Sequence, residues 1–204
     1  MSDEIKSDNS AAPSLGLGAK YADETEVKVS ELMTPERANF FGNVHGGHVL
    51  SQVDNIAYVC AARYSRLVCV TAAFDRVDFH EPIHVGELVT YVARISHVGR
   101  TSMEVEINVH AEDITTGTTR HTNSCHVTMV ALKDGKPSPV PQLVCRTRED
   151  KVRFIQARMR RDLSLRYRTE RDAFLADVDA MVDAELDNLL TRQEPLTAQA
   201  EGNA

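Results

Sequence analysis

The chain has 204 residues, 42% of them hydrophobic, with a formal net charge of −7 and a pI near 5.6. That length suits one domain with extensions, or at most two small domains. The acidic balance excludes a general grip on nucleic acid, which needs a basic field over phosphates, and no window holds eighteen uninterrupted apolar residues, so no helical membrane span is expected.

In chain order, the opening MSDEIKSDNSAAPSLG has no apolar run behind positive charge and does not read as a secretory signal. Residues 1–22 read as a flexible polar arm. TEVKVSEL, from Thr25, reads as a first strand, and TPERANFFGN as a loop. From Gly46 to Ser65, Val49, Leu50, Val53, Ile56, Ala57, Cys60 and Ala61 recur at helical spacing, predicting one long, mostly buried helix. Four strand-like runs follow: VCVTAAFDRVDF, ELVTYVARISHV, SMEVEINVHAED and RHTNSCHVTMVAL. In Met103–Val109 the apolar and polar residues alternate strictly, which predicts one dry face and one wet face. Turn-like breaks at Gly99–Thr101, Thr115–Thr118 and Asp134–Pro137 join successive strands and favour antiparallel pairing.

The fold class that follows is α+β. A sheet of this size must cover its apolar face, and the one long apolar helix near it is 46–65. The economical solution is a curved antiparallel sheet wrapped around that central helix, spanning residues 23–145. After Pro141 the character changes. Residues 146–171 carry ten Arg or Lys against four Asp or Glu, and no Gly or Pro occurs from Glu149 to Arg192. Apolar residues from Val152 to Leu190 recur at three- and four-residue intervals. A helical extension over 146–192 is expected, broken near Leu165–Arg168 and packed on its own domain or a partner subunit. Residues 193–204 read as a flexible tail.

The chemistry concentrates in NFFGNVHGGHVLSQVDN, Asn39–Asn55. Gly46-Gly47 stands where the helix begins, and a helix start leaves N–H groups free and carries partial positive charge. Without side chains there, a carbonyl oxygen can approach those donors, as in an oxyanion hole; the same glycines would also permit a tight turn or close packing. Asp54 lies about two turns into the helix at the border of its apolar face, placed to act as base or nucleophile or to remain solvated. Asn39, on the preceding loop, can hold a water or a carbonyl oxygen through its amide.

No metal is expected. His45 and His48 have an HxxH look and His80 and His84 stand four apart, but the second pair flanks Glu81-Pro82 and no further ligand set has familiar spacing. There is no GxSxG elbow for a serine hydrolase. Cys60, Cys69, Cys125 and Cys145 show no CxxC spacing and read as reduced thiols in a cytoplasmic protein.

The string Asn39-x-x-Gly42-Asn43-Val44-His45-Gly46-Gly47-x-x-x-Ser51-x-x-Asp54 resembles that of the hotdog-fold acyl-CoA thioesterases, the cytosolic bacterial and brain-type acyl-CoA hydrolase group. The likeness continues through VTAAFDRVDFHEPIHVGELVTYVARI, VGRTSMEVEINV and HVTMVALKDGKPSPVP, over about residues 25–142. The extension 146–192 is outside it. The resemblance implies a hotdog fold and hydrolysis of acyl-CoA to coenzyme A and a carboxylic acid, with no cofactor. It implies a homodimer with shared active sites, assembled further into a hexamer as a trimer of dimers, with Asn39 of one subunit facing Asp54 of the other. By motif position Asp54 is base or nucleophile, Asn39 and Thr71 orient water or thioester, and Gly47 and its neighbour polarise the carbonyl. Gly46, Ser51, Arg100 and Ser102 are then the substrate and coenzyme A contacts. A non-catalytic acyl-CoA sensor and an enoyl-CoA hydratase on the same scaffold are the alternatives; turnover separates the first, and hydration of an enoyl-CoA the second.

Overall fold

The computed structural model describes residues 18–75 and 77–192; the expected tail at 193–204 and residues 1–17 of the expected arm lie outside it. Two short strands, β1 (Lys20–Tyr21) and, late in the chain, Leu143–Val144, form a small parallel pair, so the chain is already docked at Lys20. β2 (Val27–Leu32) is followed by a 3-10 turn at Pro35–Arg37 and then by α1 (Gly46–Ser65). β3 (Val68–Phe74), β4 (Asp78–Phe79), β5 (Leu88–Val98), β6 (Ser102–Asp113), β7 (Thr118–Lys133), β8 (Lys136–Pro137) and β9 (Leu143–Val144) complete the strands. The run VCVTAAFDRVDF, read as one strand, is thus two, β3 and β4, separated at Asp75–Val77.

The main sheet runs β2-β5-β6-β7-β3, antiparallel throughout, with β4 and β8 also on β7. Its curl closes around α1. The alternation in β6 is realised as written: Met103, Val105, Ile107, Val109 and Ala111 are buried. They meet Val53, Ile56, Ala57, Cys60 and Ala61 of α1 in one core. A helix with one apolar stripe against a sheet with one apolar face leaves no other arrangement that dries both.

Local chemistry ends each element where it does. α1 stops at Arg66, whose left-handed φ of 60° lets its N–H reach the Ala62 carbonyl. Asp134 and Gly135, with φ of 52° and 74°, form the two-residue hairpin between β7 and β8, a turn that needs positive φ at both positions. The β3–β7 register shifts between Thr71 and Ala73, a bulge of the kind that re-aims a side chain.

The extension is α2 (Arg148–Ala180) followed by α3 (Asp183–Thr191). The break falls at Met181–Val182 rather than near Leu165–Arg168, because nothing in 165–168 interrupts a helix: no Gly, no Pro and no competing cap. α2 starts on a reciprocal cap, with Asp150 Oδ2 accepting from Thr147 N–H at 3.1 Å and Thr147 Oγ1 from Asp150 N–H at 3.0 Å. The described chain groups into two compact units, one ending at Ala157 and the other beginning at Arg158. In the first unit, Phe154 lies 4.8 Å from the His97 ring, so the first turns of α2 cover part of the outer sheet face.

Candidate active site

α1 carries four of the expected residues, Gly46, Gly47, Ser51 and Asp54, and the structure treats its start and its middle differently. At the start, His45 is the N-cap. Its Nδ1 accepts from the Gly47 N–H at 2.9 Å. The donor expected to meet a substrate oxygen is therefore taken by a side chain of its own chain. The glycines also have a packing reason. A methyl at Gly47 would meet His45 Nδ1 at 2.9 Å, and one at Gly46 would meet the Phe79 ring at 3.4 Å.

Asn39 sits on the loop ahead of this helix start. Its Oδ1 accepts from the Phe41 N–H at 2.8 Å and the Asn43 N–H at 3.2 Å, which fixes the loop and leaves Nδ2 without an acceptor among the described residues. Phe40 and Phe41, at the loop tip, are fully exposed. Asn39 and Gly46 share a cleft of about 320 Å³ with Val49, Phe79, His80 and Ile83.

Two turns further along α1, Asp54 is half-buried and does not line that cleft. Thr71, beside the β3 bulge, donates Oγ1–H to Asp54 Oδ1 at 2.6 Å, and its oxygen lies 3.4 Å from Met129 Sδ. The bond fixes one carboxylate oxygen and leaves the other without a partner among the described residues. Within one chain, then, the expected residues form two groups: Asn39 with Gly46 at the cleft, and Asp54 with Thr71 on the helix–β3 face. Ser51 is exposed on the first turns of α1. Arg100 is exposed on the β5–β6 turn, next to half-buried Ser102.

β3 is an edge strand, yet Val68, Val70 and Phe74 are exposed on it, together with Thr71, Ala72 and Ala73. An exposed apolar edge invites pairing with another strand.

The sequence reading missed the group that shapes the cleft wall. Arg120, on β7, donates to Glu87 Oε1 at 2.5 Å and Oε2 at 2.8 Å, and to the Pro82 carbonyl at 2.6 Å, and it pairs with Glu81 at 3.0 Å. Glu87 Oε2 also accepts from the His84 N–H at 2.7 Å. Burial would raise the Glu87 carboxyl, but the Arg120 and His84 hydrogen bonds outweigh it and hold the group below its ordinary value. One arginine thus clamps the loop Glu81–Glu87 against β7. The sequence signal was faint: a lone Arg in a strand and a lone Glu at a strand start.

Among the described residues no three His, Cys, Asp or Glu groups come together to hold a metal ion. His48 Nε2 lies 3.2 Å from Glu31 Oε2, and His84 Nδ1 lies 2.9 Å from Asn43 Oδ1. The four cysteines are free, and burial pushes the Cys60 thiol up to about 12. No helix among the described residues is long and apolar enough to cross a membrane.

Residues 41–118 match the Thioesterase superfamily. Protein VdlD of Helicobacter pylori is 44% identical over 145 residues, covering 71% of this chain and 83% of that one. The uncharacterized acyl-CoA thioester hydrolase YkhA of Bacillus subtilis is 36% identical over 132 residues, 64% of this chain and 77% of that one. An acyl-CoA hydrolase of Staphylococcus aureus, solved with butyryl coenzyme A and coenzyme A, superposes with a TM-score of 0.71 at 28% identity, covering 79% of this chain and 99% of that one. An apo-hexameric acyl-CoA thioesterase superposes equally well, with a TM-score of 0.71 at 34% identity and coverage of 77% and 99%.

Proposed function

This chain belongs to the acyl-CoA hydrolases of the Thioesterase superfamily, and on that premise we propose how its own residues divide the work. It hydrolyses acyl-CoA thioesters to coenzyme A and a carboxylic acid. Asp54 is the base or nucleophile, and its bond from Thr71 is the observation that carries this reading. A carboxylate with one oxygen pinned by a hydroxyl presents the other in a fixed direction, toward a water or a thioester carbon. A further support comes from the S. aureus enzyme. The Asn, Asp and Thr replaced by alanine in its variant structures are separated by 15 and 17 positions, as are Asn39, Asp54 and Thr71.

The second half of the site comes from a partner subunit. Asn39 and the Gly46–Gly47 helix start serve the thioester oxygen at the cleft, while Asp54 is supplied across a dimer interface built on the β3 edge. Three features support this: the separation of the two groups within one chain, the exposed apolar β3 edge and the hexameric relative. Assembly of three such dimers gives the hexamer. For the Gly47 N–H to polarise a carbonyl, His45 must give it up, so the ring swings aside as substrate enters; the Gly46 N–H needs no such change. Arg100 and Ser102 meet the coenzyme A phosphates, and Ser51 supports the helix start. Four free thiols, three of them buried, fit a cytoplasmic setting. The hydratase alternative is less well supported, since His45 and His48 are already engaged.

Thiol release from acyl-CoA tests the reading. Asp54→Asn should fold normally and lose about 10²- to 10⁴-fold in rate, the range for a missing acid–base group. Full activity in that variant would refute the role. Mixing it with Asn39→Ala should restore roughly a quarter of parental activity, because each mixed dimer holds one intact site; two inactive chains that stay inactive together would refute the sharing.

A further inference from the structure

The unit beginning at Arg158 carries a charge pattern that thioester chemistry does not use. From Arg158 to Arg171 there are six arginines and two acids; from Asp172 to Thr191 there are six acids and no base. Up to Ala180 this unit is one helix, the later part of α2. At 1.5 Å per residue, Arg158 and Asp179 are held about 30 Å apart on it. The two halves cannot neutralise each other within one helix. α3, about 13 Å long, is too short to return to Arg158. Phe174, Val178, Met181, Leu186 and Leu189 are half-buried in this part of the chain, and the acids of α3 follow directly on those at the α2 end. Two ion pairs inside the unit are local, Arg166 with Glu170 at 3.9 Å and Arg171 with Asp172 at 2.7 Å.

The same helix exposes apolar side chains at every fourth position. Met159, Leu163 and Tyr167 are 56%, 52% and 64% exposed. A stripe at this spacing shares one helix face and is suited to pack against another helix. An anionic membrane would accept the arginines, but it would repel the six acids carried at the other end. A second copy of the chain offers both charges in reverse order.

We propose that residues 158–191 are a self-association surface. Two copies pack antiparallel, the arginine half of each against the acidic half of the other, with Met159, Leu163 and Tyr167 buried between them. The contact is isologous, so it closes on itself and joins one pair of chains, independently of the β3 edge.

Charge reversal on the full-length protein tests this. The basic reversal is Arg158→Glu, Arg161→Glu and Arg168→Glu; the acidic reversal is Asp177→Lys, Asp179→Lys and Asp183→Lys. Each alone should lower the particle mass measured by light scattering at low salt. Both sets in one chain, or the two single-set proteins expressed together, should restore it. Salt at about 1 M, where screening acts within about 3 Å, should weaken the parental contact. Thiol release per chain should hold at the parental rate in every variant, which verifies folding and keeps this inference separable from the hydrolase reading. Parental mass in either single-set variant would overturn it, as would failure of the combined set to restore mass. So would loss of binding to phosphatidylserine vesicles on basic reversal with mass unchanged, which would assign the arginines to lipid.

Discussion

Helix α1 buries eight of its 20 residues, whereas α2 buries two of 33, Asp150 and Ala157. The two helices have similar means of starting, a side-chain cap on a backbone N–H, and neither contains a proline or, past the first turn, a glycine. What separates them is the sheet. α1 sits in the curl of a sheet whose inner face is dry along its length, so its rotation and depth are set by packing. From Arg161 to Ala173, α2 keeps every side chain exposed. A residue on α1 is therefore positioned well enough for chemistry, and a residue on that part of α2 is available for recognition.

Packing between α1 and the sheet carries the largest expected effect. Ile56→Ala removes a side chain that is 3% exposed between α1 and the sheet. It should cost about 3 to 4 kcal/mol in denaturant unfolding, and it should loosen the neighbouring Asp54 as well. A cost below about 1 kcal/mol would mean that α1 is not held by its apolar stripe.

A step down in size is the cleft wall. Glu87 is held below the ordinary value of 4.5, so its ion pair contributes stability above that pH and loses it as pH falls through the lowered value. The parent should weaken on acidification through this window. Arg120→Met should lose about 2 to 3 kcal/mol at neutral pH by leaving a buried carboxylate unpaired, and its stability should fall less in acid. Unfolding midpoints measured between pH 7 and 3 would check both; an Arg120→Met curve parallel to the parent's would remove the clamp from the account.

The smallest effect belongs to α2. Thr147→Ala removes one half of its reciprocal cap and should cost about 1 kcal/mol. Amide exchange should quicken in the first turn of α2 and leave α1 unchanged. Equal quickening in both helices would show that they unfold as one.

Much of this protein was legible because its signals are periodic. The strict alternation Met103–Val109 and the three- and four-residue spacing of Val49 to Ala61 each admit one element and one buried face, so strand, helix and the wrapped sheet follow from the residues. The motif Asn39 to Asp54 was legible as chemistry because its residue types are costly where they stand. The single helix α2 was not, since a continuous helix and two shorter ones carry the same spacing. The occupation of the Gly47 N–H by His45 was not, because a histidine ahead of two glycines has no preferred partner until the loop is closed.

Sequence alone determined which residues are dry, which are helical and which are chemically unusual, since these depend on short-range periodicity and on side-chain type. Tertiary structure decided which of the unusual residues meet. Asp54 and Thr71 are 17 positions apart and touch, because α1 and β3 share a face. Arg120 and Glu87 are 33 apart and touch, because β7 passes the loop before β5. Contacts at such separation depend on strand order and register, and no local pattern encodes either.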